Sequence, residues 1–251
     1  MCEQVSFICC YTDSKLLDDL QQSVSCFQSF QIEWVLIDNS KGQYASAASA
    51  LNAGAHISTK DILVFLHQDI EFEAEKTLEL ICREAKKGKI VGVAGRKSNG
   101  GPLVSTIIDG LNKERHHPYS FRSECEEVMT CDECLIGMSR ETFNRVNGFD
   151  EKAFDGWHFY GVDLCLRARK NGIRSCVVPS ELWHKSRGNR DNDKNWLFYE
   201  KRLRSIYSKD YQVIYYPCGR CYANLFLFGI WKLFLKVRKR IRRIKKKLIK
   251  A

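Results

Sequence analysis

Four short runs of branched and aromatic residues recur along the first half of the chain, at 5–10, 33–38, 62–66 and 90–94, and each of the first three leads into a helical pattern. Runs of this kind read as strands, and the wholly apolar run 62–66 as one buried on both faces. Leu16, Leu17, Leu20 and Val24 fall at helical spacing behind Ser14, which is placed as the cap. Residues 44–56 form an Ala-rich helix, and its small side chains allow close packing on a sheet. A third helix is expected from about Glu73 to Lys86. Strand and helix alternating with short joints specify an α/β domain with crossover helices on a parallel sheet. Right-handed crossovers bring the carboxyl ends of the strands to one edge. Open sheets of this type bind their ligands there.

Tyr11, Asp38 and Asp69 stand at that edge. Asp69 closes the run 62–69, in which five apolar residues give way to His67, Gln68 and a carboxylate. A carboxylate in this place either caps the helix near Glu73 or serves a hard divalent cation, which in turn suits a phosphate.

Beyond residue 95 the alternation breaks. Residues 96–125 are rich in Gly, Ser, Asn and His and read as a long loop; 128–138 is strand-like. A short helix at 140–146 ends at Asn147-Gly148, and a longer one at 159–170 ends at Asn171-Gly172. A last strand at 174–178 leads to Trp183-His184, and a helix follows from about 192 to 207.

Charge is distributed unevenly. The net charge is +10, but residues 211–251 hold seven Lys, five Arg and no acid, which leaves 28 basic against 30 acidic residues in the rest. A nearly neutral body with a cationic tail argues for one local anionic contact and against a nucleic-acid-binding surface. In the tail, Phe234, Val237, Ile241, Ile244 and Leu248 alternate at three and four residues with Lys and Arg between them. That is an amphipathic helix for an anionic membrane surface, or else a solvated charged helix. The apolar stretch at 223–235 is too short to span a bilayer, which takes about 20 residues. With 12 cysteines and no leader ahead of the first strand, the expectation is reduced thiols in a cytoplasmic protein held peripherally at the membrane. Cys131-x-x-Cys134 and Cys218-x-x-Cys221 offer zinc-ligand spacing, but buried apolar thiols are the better reading.

The order of these features resembles glycosyltransferase family 2: an Asp after the third strand, Gly148-Phe149-Asp150, the block from Asp163 to Ala168, then a strand and His184. The nearest subgroup is similar to the one named for a streptomycin-biosynthesis glycosyltransferase. The resemblance covers residues 4–190. It implies a GT-A fold, a Rossmann-like mixed α/β sheet with helices on both faces, filling residues 1–210 ahead of the basic tail at 211–251. It implies transfer of a sugar from a nucleoside diphosphate donor, UDP by expectation, with inversion, to a glycan or lipid-linked acceptor. Cys10, Tyr11, Asp38, Asn39 and Asn52 would line the donor pocket. Asp69 and His184 would hold Mn2+ or Mg2+, with His67 at the first position of an altered Asp-x-Asp motif. Asp132, Trp157 and His158 are the acceptor candidates. The general base is expected two residues before Asp163, where Gly161 stands, so Asp163 or the nearby Asp155 is the substitute. Asp163 also suits the positive start of a helix. Should neither carboxylate act, the chain is a nucleotide-sugar-binding scaffold. Sugar nucleotidyltransfer would want a Gly-rich basic loop after the first strand, and residues 9–13 offer none.

Overall fold

The computed structural model describes residues 2–186, 194–224 and 229–230. In chain order the first half contains β1 (Glu3–Tyr11), α1 (Ser14–Ser23), β2 (Phe30–Asp38), α2 (Ala47–Ile57), β3 (Ile62–Leu66), β4 (Ile70–Phe72), α3 (Glu75–Lys86) and β5 (Ile90–Gly92). Short strands follow: β6 (Ala94–Lys97), β7 (Gly100–Ser105), β8 (Ile108–Asp109), β9 (Arg115–His116), β10 (Glu126–Val128), β11 (Thr130–Cys131) and β12 (Leu135–Ser139). The chain continues through α4 (Arg140–Arg145), α5 (Tyr160–Lys170), β13 (Ser175–Val177), β14 (Leu182–His184), α6 (Lys194–Tyr207), β15 (Val213–Tyr216) and β16 (Gly219–Tyr222).

A seven-stranded sheet in the order β10-β13-β5-β12-β3-β1-β2 organises the body. β2, β1 and β3 are parallel, β12 runs antiparallel between β3 and β5, and β13 is parallel to β5. The sheet is therefore mixed, because the fourth run does not pair with the third: β12 is inserted between them. The period-two alternation of β3 explains its wholly apolar sequence. Leu63 and Phe65 join the core under α2 and α5, while Ile62, Val64 and Leu66 join the core under α1 and α3. Gly54 shows why α2 is built from small residues. A Cβ there would lie 2.4 Å from Ile8 Cγ2, so the helix rests directly on β1.

Several boundaries differ from expectation. Asp13, not Ser14, caps α1 by accepting from the N–H groups of Lys15 and Leu16. α3 starts behind Ala74, so Asp69 is not its cap. The expected loop at 96–125 contains β6 to β9. These strands pair into small sheets beside the main one, ordered β11-β6-β7 and β4-β14-β8-β9. The strand-like stretch at 128–138 is three strands, since β10, β11 and β12 enter different sheets or positions. The β15–β16 hairpin packs into the main core through Ile214, Tyr216 and Cys221, so the body extends past the expected boundary at residue 210. The amphipathic helix expected from Phe234 onward lies outside the described residues. Among the described residues no helix is long and apolar enough to cross a membrane.

Candidate active site

β3 delivers His67, Gln68 and Asp69 to the carboxyl edge of the sheet. Gln68 fastens that edge, its Oε1 accepting from Thr12 N (2.8 Å) and Asp13 N (2.9 Å) just beyond β1. Downstream, β4 pairs antiparallel with β14, which sets His184 opposite Ile70, and β14 pairs with β8, which sets His184 opposite Asp109. Three distant stretches thus meet at one point.

Their side chains form a compact ligand set. Asp69 Oδ1 lies 3.8 Å from His67 Nδ1 and 3.6 Å from His184 Nε2. One ligand atom from each of the three residues falls within 4.8 Å of the others. The outer ring atoms are held too. His184 Nδ1 is 3.0 Å from Asp109 Oδ1, and His67 Nε2 is 3.2 Å from the Tyr160 hydroxyl. An ionised carboxylate only accepts, so His184 donates from Nδ1, and in the neutral ring the lone pair is on Nε2. That Nε2 is buried and has no hydrogen-bond partner among the described residues. A buried polar atom left in this state is costly unless something fills the place. Asp109 also takes a bond from His117 Nε2 at 2.8 Å, so one carboxylate anchors two rings.

The surrounding charges act on both rings. Desolvation acts downward on His184, but the bond to Asp109 and the fields of Asp69 and Asp132 hold it above the ordinary imidazole value. Desolvation, with His184 adding to it, holds His67 below that value against the pull of Asp69 and Asp132. Burial would raise the Asp109 carboxyl, yet His184 and His117 outweigh it and hold it low. Two imidazoles ringed by Asp69, Asp109 and Asp132 form a donor set of nitrogen and carboxylate oxygen, which fits a divalent cation such as Mn2+.

Beside this cluster is a cavity of about 210 Å³, walled by Cys10, Leu51, His67, Glu133, Trp157 and Tyr160. A larger cleft of about 670 Å³ lies at the amino ends of β1 and β3, the edge where such sheets do not bind ligands. Phe159 turns the chain into α5 with φ 65°, a left-handed conformation that is strained for a bulky residue. Its ring is fixed between Trp196 (4.5 Å) and Tyr216 (5.3 Å).

The residues expected from sequence divide into two groups. Cys10 and Trp157 line the cavity, and burial, with Asp38 adding to it, pushes the Cys10 thiol up to about 11. Tyr11 and Asp38 face each other at the ends of β1 and β2. Asp38 is exposed and held low by the Ser40 hydroxyl and N–H. Asp132 lies near both imidazoles, with Oδ1 accepting from Cys134 N at 3.0 Å. His158 packs on Trp196. Two donor-pocket expectations are corrected. The Asn39 amide closes its own loop, exchanging bonds with the backbone N–H and carbonyl of Tyr44. Asn52 does the same across the fold, gripping Phe149 N–H and carbonyl at 2.9 Å each and Glu151. Both amides are consumed by architecture. Asp163 as base is corrected as well. It is 1% exposed, and its carboxylate accepts from Arg167 Nε (2.7 Å) and the Tyr207 hydroxyl (2.6 Å). Asp155 is engaged by Tyr199 and Arg202. The Cys-x-x-Cys pairs do not gather into a metal-ligand cluster among the described residues.

The Glycosyltransferase like family matches residues 6–213. The chain belongs to this family. A crystal structure of GalNAc-T7 with UDP, GalNAc and Mn2+ superposes with a TM-score of 0.57 over 81% of this chain and 48% of that one, at 11% identity. That likeness is one of fold, and the fold is GT-A. The "ATP synthase subunits region ORF 6" protein of Fuscovulum blasticum is 28% identical over 142 residues, which is 52% of this chain and 54% of that protein. The glycosyltransferase-like chain therefore matches about half the length of each of these two relatives.

Proposed function

We propose that this protein is an inverting glycosyltransferase that moves a sugar from a UDP-linked donor to a hydroxyl of a surface-glycan or lipid-linked acceptor. Within the family we place it near the streptomycin-biosynthesis-type subgroup, on its block at 155–169. One observation carries the reading: His67, Asp69 and the unpartnered His184 Nε2 converge at the carboxyl edge of the sheet, beside a cavity walled by Trp157 and Tyr160. The UDP and Mn2+ present in the GalNAc-T7 crystal structure support the same choice of ligands.

In this reading His67, Asp69 and His184 hold Mn2+ or Mg2+. When bound, such a cation offsets the charge that gathers on the leaving diphosphate. Asp109 and Tyr160 orient the two imidazoles from behind. Tyr11 and Asp38 flank the nucleoside, and Trp157, which is 44% exposed, gives the acceptor sugar an aromatic face. His158 and Asp132 contribute polar groups to the same acceptor.

A thermal-shift panel tests this. UDP is expected to raise the melting temperature with Mn2+ present and not without it. At 100 times Kd, binding contributes about 2.7 kcal/mol, a shift of roughly 5–11 °C for a chain of this size. If neither UDP nor any UDP-sugar moves the melting point with Mn2+, the reading is wrong. Tight binding with no release of UDP from donor would instead favour a nucleotide-sugar-binding scaffold, the reading that Gly161 suggests.

The cationic tail is proposed to dock the enzyme on the cytoplasmic face of a membrane. Truncation after Asn224 leaves the buried hairpin intact and is expected to release the protein from vesicles containing anionic lipid. Undiminished pelleting of the truncated chain would refute the anchor.

A further inference from the structure

Glycosyl transfer needs a base for the acceptor hydroxyl, and the site contains one carboxylate not yet given a task. Glu133 lies in the turn that leads into β12. That strand lies antiparallel beside β3, with Leu135 opposite Leu66 and the Cys134 carbonyl accepting from His67 N at 2.9 Å. Glu133 therefore arrives at the same edge as His67, and it forms part of the same cavity wall as His67, Trp157 and Tyr160.

Its carboxylate is positioned rather than loose. Oε1 accepts from Gly161 N at 2.9 Å, and the N–H of Val162 bonds to the carboxylate as well. These are orphan donors of the first turn of α5, a helix whose own cap residue, Phe159, makes no side-chain cap. The absence of a side chain at Gly161 is what admits Glu133. A Cβ on residue 161 would come within 2.8 Å of Glu133 Cγ and 2.7 Å of Ile136 Cδ1. Glu133 thus fills the space that a side chain at position 161 would take.

Elimination supports the assignment. Asp69 faces two imidazoles, Asp109 is spanned by His184 and His117, Asp132 accepts from Cys134 N, Asp163 is held by Arg167 and Tyr207, and Asp155 by Tyr199 and Arg202. Burial pushes the Glu133 carboxyl up to about 8, with the charge of Asp132 adding to it and the Gly161 and Val162 N–H groups opposing it. A base works best with a pKa near the working pH, and this one is close to neutrality.

We propose that Glu133 is the general base of the transfer reaction, supplying from the start of β12 the carboxylate that Gly161 does not. The step rests on the glycosyltransferase reading. The acceptor O–H bond breaks and its proton passes to Glu133. The acceptor oxygen forms its bond to the anomeric carbon as the bond to the diphosphate breaks, and that electron pair leaves on the diphosphate.

The test uses the full chain with Mn2+ and measures UDP release from UDP-GalNAc and UDP-GlcNAc, with water as acceptor. Glu133→Gln keeps an oxygen for the Gly161 N–H and removes only the base. Its UDP release is expected to fall about 100-fold or more, while the Mn2+-dependent thermal shift by UDP stays as in the wild type. Release within about threefold of wild type, with that shift intact, would overturn the proposal. If Glu133→Gln does not fold, Glu133→Ala combined with Gly161→Asp decides: recovered release supports the relocated carboxylate, and a folded, UDP-binding but inactive protein overturns it. A wild-type protein that neither binds UDP nor releases it from either donor overturns the transferase reading, and this inference with it.

Discussion

Replacing Asp69 or His184 with alanine is expected to remove Mn2+ binding and to lower UDP release from a UDP-sugar by about 10²–10³-fold. The size follows from what these side chains are proposed to offset. Charge on a leaving diphosphate is stabilised by several kcal/mol of cation contact, and a single preorganised donor removed from such a site costs on the order of 10²–10³ in rate. Asp69 is common to both short contacts of the cluster, at 3.6 and 3.8 Å, so its loss dismantles the set. His184 contributes the buried Nε2. A graded effect separates a metal centre from a mere polar cluster. Asp109→Asn leaves all three ligands present but weakens the hold on His184 Nδ1, and is expected to cost about 10–100-fold in Mn2+ affinity. Calorimetric titration of Mn2+ gives the first quantity and a UDP-release assay the second. If Asp69→Ala binds Mn2+ as the wild type does and releases UDP at the same rate, the cluster has no part in the reaction.

Asp163→Ala is expected to destabilise the fold by about 3–5 kcal/mol, the cost of leaving a partner charge without its counterion in a buried place. Arg167 donates to Asp163 Oδ2 while its other nitrogens hold the carbonyls of Val146 and Gly148, and Tyr207 brings α6 onto the same carboxylate. One group therefore joins α5, α6 and the turn at 146–148. Urea unfolding measures the change as a lower midpoint at unchanged slope. A base would behave in the opposite way, with stability kept and UDP release lost. That pattern would return Asp163 to the chemistry and displace Glu133.

The long elements were legible because their patterns are local. β3 is a continuous apolar run, β1 and β2 are largely apolar, and the Ala-rich composition of α2 marks a helix that touches the sheet. The meeting of Asp69 and His184 was legible because strand ends gather at one edge in folds of this type. Asp109 and His117 were not, since β8 and β9 are two residues each and show no periodicity. Their place beside His184 comes from the pairing of β8 with β14 and of β9 with β8. Asn39 and Asn52 were misread for a related reason: an amide in a polar joint looks the same whether it grips a ligand or the chain's own backbone. For Asp163 the signal existed. Arg167 is four residues on, the spacing of a helical ion pair, and it favours a structural role. The β15–β16 hairpin was hidden by the cationic count of the segment around it, although Tyr216-Pro217-Cys218-Gly219 has the composition of a turn.

The first turn of α5 touches both halves of the site. The Tyr160 hydroxyl steadies His67 on one side, and the next amide, of Gly161, steadies Glu133 on the other. On the proposed reading, adjacent residues thus serve the leaving diphosphate and the acceptor hydroxyl together. The two residues are consecutive, so a sideways shift of this turn would disturb both contacts at once.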